Sequence, residues 1–231
     1  MSGQDAAANV ARFGGPESRE DLGGDAMKRE FEYIYDHNSW GYGSGEGSLP
    51  VHARPYVAFL QKFLRKRRIE SVVDFGCGDW QFSQLIDWNN IVYRGYDIVR
   101  SVVSANSARY STPRISFHEI GAPPCLLPQA DLLIVKDVFQ HWSDETIFCF
   151  LPAIAQFRYS LITNCVDPAG VTTNLPIRDG GFRYLDLRRP PFNLAGREVF
   201  SFTNYRPLAE RFLGKPRWLK KVLLLEQSPK N

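Results

Sequence analysis

The segment from Asp74 to Asp79 holds the residue types best suited to binding a nucleotide-like ligand. It reads Asp-Phe-Gly-Cys-Gly-Asp, and a short β-rich run leads into its two-glycine turn, which is predicted to open a helix. Glycines at such a turn let backbone amides approach a ligand closely. Asp97 follows Gly76 by 21 residues, at the tip of the next predicted strand, where its carboxylate can accept hydrogen bonds from ribose hydroxyls. The third glycine of a dinucleotide-binding turn would fall at Gln81, which disfavours NAD.

The elements that must position these residues follow an alternating order. Short β-rich runs lie at 71–75, 91–96, 114–119, 131–136 and 158–163, and they are separated by helical stretches at 81–88, 99–110 and 144–156. Strands that alternate with helices predict an α/β fold, in which a doubly wound parallel sheet has helices on both faces. Two later runs, 199–203 and 222–226, are predicted to close one edge of the sheet as a hairpin pair.

The chain before this sheet divides into a tail and a helical segment. Residues 1–26 hold two Arg against five Asp and Glu, with few large apolar side chains, so they are predicted to form a flexible tail. Residues 27–68 carry apolar side chains at helical spacing on both sides of a glycine-rich loop, residues 39–48. The two helices are predicted to begin at Met27 and at Ala53.

Residues 69–231 are predicted to form the main domain, with a substrate lobe near 164–198 over the carboxyl edge of the sheet. Loops as long as this proline-rich stretch are usually functional or disordered, and its aromatic and apolar residues favour order. The segment from Arg178 to Lys221 contains eleven basic and four acidic residues. That surplus predicts either attraction of an anionic substrate or an ordinary solvated surface.

Composition and charge narrow the class of protein. The 231 residues have a net charge of +3 and 44% hydrophobic residues, typical of a soluble globular protein, which excludes a polybasic nucleic-acid binder. The four cysteines form no Cys-x-x-Cys pair, and Asp137, Asn164 and Asp167 make only a loose cluster, so no metal is predicted. No apolar run approaches the ~20 residues that cross a bilayer and no signal peptide is evident, so the protein is predicted to be cytoplasmic, without a membrane partner.

A second motif follows the glycine turn and Asp97, since residues 131–142 read DLLIVKDVFQHW. In this order the motifs resemble those of class I S-adenosylmethionine-dependent methyltransferases of the bacterial small-molecule type, over about residues 69–226. The resemblance implies a Rossmann-like sheet of seven strands, mostly parallel with the last strand antiparallel, and an N-terminal helical lid. It also implies that S-adenosylmethionine is the cofactor, lying across the tips of the first, second and fourth strands.

The resemblance assigns the cofactor contacts residue by residue. The positions it implies in the main domain are Asp74, Gly76, Cys77 and Gly78 at the methionine moiety, Asp97 at the ribose, Ile98, Glu119 and Ile120 at the adenine, and Lys136 with Asp137 at the reactive end. Phe31 to Trp40 and the glycine-rich loop resemble the lid of these enzymes. The lid positions implied near the methionine end are Trp40, Tyr42, Ser44 and Arg54, of which Arg54 would pair with the carboxylate. Trp80 stands where the family usually has glycine.

The methyl transfer that the resemblance implies is an in-line displacement, which needs alignment, exclusion of water and removal of a proton from a hydroxyl acceptor. A base with a pKa near neutrality suits that proton. His141 is the best placed of the four histidines, just beyond the fourth strand and beside Asp137. Asp137 would orient the acceptor or the cofactor's ammonium group. The alternative for His141 is a role in capping or packing the following helix.

The absence of one motif from the sequence reduces the number of possible methyl acceptors. No Asn/Asp-Pro-Pro-Tyr follows the fourth strand, which argues against DNA bases and glutamine side chains as acceptors. We therefore expect transfer to an oxygen of a small metabolite or a glycan, with nucleic acid an unlikely partner and the oligomeric state open. Two alternatives remain: a degenerate, cofactor-binding adaptor whose pocket is partly blocked by Trp80, and an RNA methyltransferase that grips a strand with the basic segment.

Overall fold

The predicted doubly wound sheet is confirmed by a computed structural model, which describes residues 24–123, 125–205 and 217–227. The sheet has seven strands: Ser71–Phe75 (β1), Val92–Asp97 (β2), Ile115–Glu119 (β3), Leu132–Lys136 (β4), Tyr159–Val166 (β5), Arg197–Thr203 (β6) and Leu219–Glu226 (β7). Their order across the sheet is β3-β2-β1-β4-β5-β7-β6. The first five strands pair in parallel, and β7 runs antiparallel to both β5 and β6. The order in which successive strands are added therefore reverses between β1 and β4, where parallel sheets of this kind form their ligand crevice.

Four α-helices accompany the sheet in the described residues: Gly24–Asp36 (α1), Pro50–Arg67 (α2), Arg100–Tyr110 (α3) and Asp144–Ile154 (α4). The helices α1 and α2 each begin three residues before the predicted start, at Gly24 and Pro50. Helix α4 begins where Ser143 Oγ accepts a hydrogen bond from the Thr146 amide at 3.2 Å, which satisfies an amide that the helix leaves free. The predicted tail lies almost wholly at residues 1–23, outside the described residues. None of the described helices combines the length and the apolar character that a membrane span requires.

The two faces of the sheet are covered by different helices because side chains alternate along β1 and β4. One set points to a hydrophobic cluster that also contains Tyr56 and Leu60 of α2: Val72, Leu132 and Ile134. The other set points to a cluster that contains Phe31 of α1 and Phe150 of α4: Val73, Leu133 and Val135. Both faces of the central strands are therefore buried, as the continuous apolar runs predict.

The predicted helix at 81–88 is wrong, and so is the prediction that the glycine turn opens a helix. Only a short 3-10 helix, Ser83–Leu85, forms there. The backbone is left-handed at Trp80 (φ 60°), a conformation that cannot continue an α-helix. The Trp80 indole is buried and packs against Tyr93 and Phe117, with ring centroids 5.6 and 5.4 Å away. The apolar side chains after the turn thus enter the core from an irregular backbone, although their spacing resembles that of a helix.

No helix or strand occurs between Val166 and Arg197, a stretch that the structure describes throughout. It is nevertheless fastened to the sheet: the Leu185 amide donates to the carbonyl of Cys165 at 2.8 Å, and Leu185 is buried. The buried Arg183 guanidinium donates to the carbonyl of Trp142 at 2.9 Å. This coil therefore packs beside the carboxyl ends of β4 and β5.

Candidate functional site

A cavity opens at the carboxyl ends of β1, β2 and β4, beneath α1 and the glycine-rich loop. Its empty volume is about 810 Å³ including the open mouth. It brings together most of the residues predicted for the site, namely Trp40, Ser44, Asp74, Gly76, Cys77, Gly78, Asp97, Ile98, Ile120, Lys136, Asp137 and His141. Further lining residues are Met27, Phe31, Tyr35, Phe82, Ala122 and Trp142.

The turn after β1 lies directly under the glycine-rich loop. Gly78 has a positive φ of 56°, and a Cβ atom there would lie 2.4 Å from Ser44 Oγ. A glycine is therefore needed at this position both for the backbone conformation and for the approach of the loop. The carbonyl of Gly78 accepts a hydrogen bond from the side-chain amide of Asn106 at 2.7 Å, which fixes the turn against α3.

Asp97 ends β2 and lies in the wall of the cavity. Its Oδ2 accepts from the Gly78 amide and its Oδ1 from the Val99 amide, both at 3.0 Å. Burial raises the pKa of Asp97, and the backbone hydrogen bonds from Val99 and Gly78 partly oppose that rise. Each oxygen keeps a second lone pair, so this oriented carboxylate can still accept hydrogen bonds from a ligand's hydroxyls.

Asp74 is a second buried carboxylate, near the end of β1 and two residues before Gly76. Its Oδ2 accepts a hydrogen bond from the Tyr93 hydroxyl at 2.6 Å. Burial raises the pKa of Asp74 to about 6, an effect that the Tyr93 hydrogen bond and the Lys136 ammonium group partly oppose. The group is therefore close to half-ionised in mildly acidic solution and mostly ionised near neutrality.

Asp137 lies between two buried lysines at the end of β4, and we call these three residues the lysine–aspartate cluster. Its Oδ2 accepts from Lys136 Nζ and from Lys220 Nζ, each at 2.5 Å. Burial works to raise the pKa of Asp137, but the two ammonium groups outweigh it and lower the pKa to about 2. The carboxylate is thus ionised throughout the physiological range.

The other oxygen of Asp137 is left for a ligand. Asp137 Oδ1 is buried and has no hydrogen-bond partner in the protein, and the residue lines the cavity. A buried carboxylate oxygen without a donor is costly, so its place in a binding cavity indicates that a bound molecule supplies the donor. Burial lowers the pKa of Lys136 despite its contact with Asp137, and its Nζ lies 4.6 Å from the centre of the Phe82 ring.

Lys220, on β7, is the functional residue that the sequence analysis missed. It lies 83 positions from Asp137 in the chain, so no local motif joins them. Burial alone would lower the pKa of Lys220, but the Asp137 carboxylate more than offsets it, and the pKa is raised. The structure shows that Lys220 is buried between the half-buried Leu219 and Lys221, whereas the sequence LKKVLLL has no alternation that would reveal it. A lysine at an inward position of a strand points to a buried partner.

The glycine-rich loop is seated on this cluster. Lys136 Nζ donates to the carbonyl of Gly47 at 3.3 Å. A Cβ atom at Gly47 would lie 2.1 Å from Lys220 Nζ, so the loop backbone can rest on the ammonium group only because residue 47 has no side chain. Trp40, at the start of the loop, packs its ring against those of Phe31 and His141, with centroids 5.9 and 4.7 Å away. The loop therefore forms one wall of the cavity.

His141 lies in the cavity wall, and its two ring nitrogens contact Gly181 and Gln140. Its Nδ1 lies 2.8 Å from the carbonyl of Gly181, so this nitrogen carries the hydrogen and donates. Gln140 accepts from the Cys165 amide through Oε1, which leaves its amide nitrogen 3.3 Å from Nε2 of His141. Burial lowers the pKa of His141 to about 4. The ring is enclosed rather than solvated, so its pKa lies below the near-neutral value that best suits a base for a hydroxyl proton.

Three predicted binding residues do not line the cavity. Tyr42 is 66% exposed, and it contributes only its backbone carbonyl, which accepts from Gln81 Nε2 at 2.6 Å. Arg54 lies on the exposed face of α2. Glu119 is turned outward, where it pairs with Lys28 and Arg100. The predicted blockage by Trp80 does not occur either, because its indole packs in the core on the opposite side of the turn.

The basic segment from Arg178 to Lys221 is paired with carboxylates only in part, among those of its residues that the structure describes. Four of its cations pair with carboxylates: Arg183 with Asp144, Arg188 with Asp186 and Glu198, Lys220 with Asp137, and Lys221 with Glu198. Arg183 and Lys220 are also buried. No group of three or more His, Cys, Asp or Glu side chains suited to a metal occurs within the part of the chain that the structure describes.

Comparison with solved structures identifies the fold. Magnesium protoporphyrin IX methyltransferase from Synechocystis PCC 6803, with bound S-adenosylhomocysteine, is 16% identical, covers 87% of this chain and all of its own, and has a TM-score of 0.59. The 1,6-didemethyltoxoflavin-N1-methyltransferase of Burkholderia thailandensis, with its namesake compound and S-adenosylhomocysteine, is 15% identical over 93% of this chain and 94% of its own, with a TM-score of 0.64. The N-methyltransferase NodS from Bradyrhizobium japonicum WM9, in complex with S-adenosylhomocysteine, is 11% identical over 89% and 98%, with a TM-score of 0.55.

No family model matches the chain, and no curated protein does. The identities to the solved structures are low, so the likeness is one of architecture. The chain has the fold of the class I S-adenosylmethionine-dependent methyltransferases, as the sequence motifs predict.

Proposed function

We propose that this protein transfers the methyl group of S-adenosylmethionine to an oxygen of a small molecule. The observation that carries the proposal is the cavity at the ends of β1, β2 and β4, where a buried carboxylate oxygen of Asp137 has no partner. The neighbours of the same fold support it, since they were crystallised with S-adenosylmethionine or S-adenosylhomocysteine. Two of them are named for small-molecule substrates, a protoporphyrin and a didemethyltoxoflavin.

The charge of the cavity fits a cationic cofactor. The carboxylates of Asp74, Asp97 and Asp137 line the cavity together with Lys136. Lys220 pairs with Asp137 from behind the described lining, so three carboxylates stand against two ammonium groups. S-adenosylmethionine carries a sulfonium and an ammonium group against one carboxylate, so an excess of buried negative charge complements it. When bound, the cofactor supplies an electrophilic methyl group.

The two ends of the cavity suit the two ends of that cofactor. At one end Ile98 and Ile120, with Met27 above them, offer apolar walls for an adenine ring. Asp97 lies between this end and the glycine turn, where its free lone pairs suit the ribose hydroxyls. The turn at Gly78 brings the backbone and the loop together over the middle of the cavity.

The methionine end belongs to the lysine–aspartate cluster in this proposal. Asp137 Oδ1 accepts a hydrogen bond from the cofactor's ammonium group, because it is the buried acceptor without a donor. Lys136 replaces Arg54 as the cation near the carboxylate, since Lys136 lines the cavity and Arg54 lies on the exposed face of α2. Lys220 acts through Asp137 by keeping its carboxylate ionised and oriented.

His141 is the proposed proton acceptor. Its Nδ1 is held as a donor to Gly181, so the lone pair is on Nε2 and the neutral ring can take a proton. In this role Nε2 would take the proton of the acceptor hydroxyl, and the bound cofactor would supply the methyl group. The pKa of about 4 makes His141 a weak base, so exclusion of water by the glycine-rich loop and alignment must supply most of the rate.

Neither alternative from the sequence gains support. The adaptor hypothesis rests on Trp80, whose indole is buried among Tyr93 and Phe117 and leaves the cavity open. The RNA hypothesis rests on the basic segment, four of whose cations pair with carboxylates. The open cavity favours an enzyme over an adaptor, and the pairing of Arg183 and Lys220 with carboxylates outside the segment lowers its surplus of positive charge from seven to five.

The first experiment measures binding of S-adenosylmethionine and S-adenosylhomocysteine by isothermal titration calorimetry. The variants are Asp97→Asn, which keeps the side-chain shape, and Asp36→Asn, a matched change at an exposed position at the end of α1. Loss of a charge-assisted hydrogen bond to a hydroxyl should weaken binding by about tenfold to a hundredfold in Asp97→Asn. Asp36→Asn should bind as the wild type does.

The outcomes separate clearly. Binding by the wild-type protein that is weakened only in Asp97→Asn supports the cofactor and its site. No binding of either compound to the folded wild-type protein would overturn the proposal.

A further inference from the structure

We propose that the methyl acceptor is a planar aromatic molecule that stacks on Phe182 and Tyr184 at the mouth of the cavity. This inference rests on the proposed function and names the substrate class of the same site. Four rings lie in sequence from the cavity wall to the surface, and we call them the aromatic row. Their successive centroid distances are 4.7 Å from Trp40 to His141, 5.8 Å from His141 to Phe182, and 5.8 Å from Phe182 to Tyr184.

The outer two rings are open to solvent although the chain beside them is buried. Phe182 is 43% exposed and Tyr184 is 37% exposed, whereas Arg183 and Leu185 are 5% and 1% exposed. Burial thus alternates along 182–185, which places both rings on the solvent side. Adjacent exposed rings that continue the wall of a cavity are typical of a ligand-binding surface.

The backbone that presents these rings is held from inside. Arg183 donates to the carbonyls of Leu175 and Trp142, each at 2.9 Å, and pairs with Asp144. The Gly180 amide donates to the carbonyl of His141 at 2.8 Å. A ring on a fixed backbone loses little freedom when a ligand binds, so more of the stacking energy appears as affinity.

The polar side chains beside the row leave few groups free for a ligand, and this favours an aromatic acceptor over a sugar. His141 donates to Gly181 through Nδ1, so only its Nε2 is left to accept from one acceptor hydroxyl. The oxygens of Asp179 accept from the Ser143 amide at 2.7 Å and from the Thr146 hydroxyl at 3.0 Å. A glycan would bring many hydroxyls that need partners, whereas a planar ring with one methylatable hydroxyl needs mainly ring faces.

The test uses 2-naphthol as a planar aromatic hydroxyl and methyl β-glucoside as a non-aromatic one. Both are titrated into protein saturated with S-adenosylhomocysteine, so that the probe cannot enter the cofactor's part of the cavity. Phe182→Leu and Tyr184→Leu remove one ring each. Phe148→Leu is the matched control, because Phe148 is similarly exposed at 45% but packs against Phe192 at 5.1 Å, outside the row.

We expect 2-naphthol to bind the wild type and Phe148→Leu equally, and each row variant about three- to tenfold more weakly. The affinity for S-adenosylhomocysteine should be unchanged in Phe182→Leu, since Phe182 is not among the residues that line the cavity. Unchanged 2-naphthol affinity in both row variants, or equal affinity for the glucoside, would overturn the inference and leave the proposed function standing. Failure of S-adenosylhomocysteine to bind the wild type would instead remove the proposed function on which the inference rests.

Discussion

Ser44 in the glycine-rich loop and Asp79 after the glycine turn hydrogen-bond to each other in both directions. The Ser44 amide donates to Asp79 Oδ2 at 3.1 Å, and the Asp79 amide donates to Ser44 Oγ at 2.9 Å. The Tyr35 hydroxyl, from α1, lies 2.7 Å from the same Ser44 oxygen. One serine hydroxyl therefore joins the loop, the helix above the cavity and the turn below it.

Replacing Ser44 should loosen this wall of the cavity. Ser44→Ala removes the oxygen that satisfies the Asp79 amide, so the glycine-rich loop should open more often and S-adenosylhomocysteine should bind about three- to tenfold more weakly. Calorimetric titration measures the affinity, and hydrogen exchange of the loop amides measures the opening.

The control is Ser39→Ala, an exposed serine five positions earlier in the chain. It should leave both the affinity and the exchange rates as in the wild type. If Ser44→Ala bound S-adenosylhomocysteine as tightly as Ser39→Ala does, the loop would not be part of the binding site.

The raised pKa of Asp74 should make folding stability depend on pH. Its pKa is about 6 in the folded protein and ordinarily 3.8, so the folded state binds the proton more tightly than the unfolded one. Protonation of Asp74 therefore stabilises the protein, and the free energy of unfolding should rise as the pH falls from about 7 to about 4, by at most about 3 kcal/mol from this group.

Urea unfolding across that pH range tests the assignment. Asp74→Asn cannot gain the proton, so its stability should rise less than that of the wild type on acidification. Asp36→Asn, at an exposed position, should follow the wild type. Parallel pH profiles for the wild type and Asp74→Asn would show that another buried group, such as Asp97, is responsible.

Lys220 should matter to stability far more than its neighbour Lys221. Lys220→Met leaves the buried Asp137 with one ammonium group and should lower the free energy of unfolding by about 1–3 kcal/mol near neutral pH. Lys221→Met removes a half-exposed partner of Glu198 and should cost at most about 1 kcal/mol.

The sign of the pH dependence follows from Asp137. Its pKa is lowered to about 2 from an ordinary 3.8, so its contribution to stability is present above about pH 4 and is lost as the pH falls towards 2. The difference in stability between the wild type and Lys220→Met should therefore shrink on acidification through that window. A difference that stayed constant down to about pH 2 would contradict a role for Lys220 as the counter-ion of Asp137.

The parts of the fold that were predictable depend on local patterns. Alternating strands and helices predict the sheet, and the glycine turn with Asp97 predicts where its ligand crevice lies. These signals are contained in short segments, so they can be recognised without knowledge of the tertiary contacts. The error at 81–88 has the same origin, because apolar spacing alone cannot reveal the left-handed backbone at Trp80.

The chemistry of the site was less accessible from the sequence. Lys220 reaches Asp137 only because β7 inserts between β5 and β6. Burial lowers the pKa of His141, and the residues that contact its ring, Trp40 and Gly181, are distant in the chain. The resemblance to the family's lid implies Arg54 as the carboxylate partner, but Arg54 lies on a face of α2 that is exposed to solvent. Charge pairing across the fold, rather than any motif, determines these features.

The contacts of Arg183 bear on how the acceptor specificity of this protein could change in evolution. Arg183 secures the coil through carbonyl groups and Asp144, and none of these contacts involves the side chains of Phe182 or Tyr184. Under the proposal that the aromatic row binds the acceptor, support and recognition are divided between alternate positions of one short segment. Mutations at 182 and 184 should then alter which acceptor is chosen without weakening the scaffold, which makes this pair of positions a natural starting point for redesigning specificity.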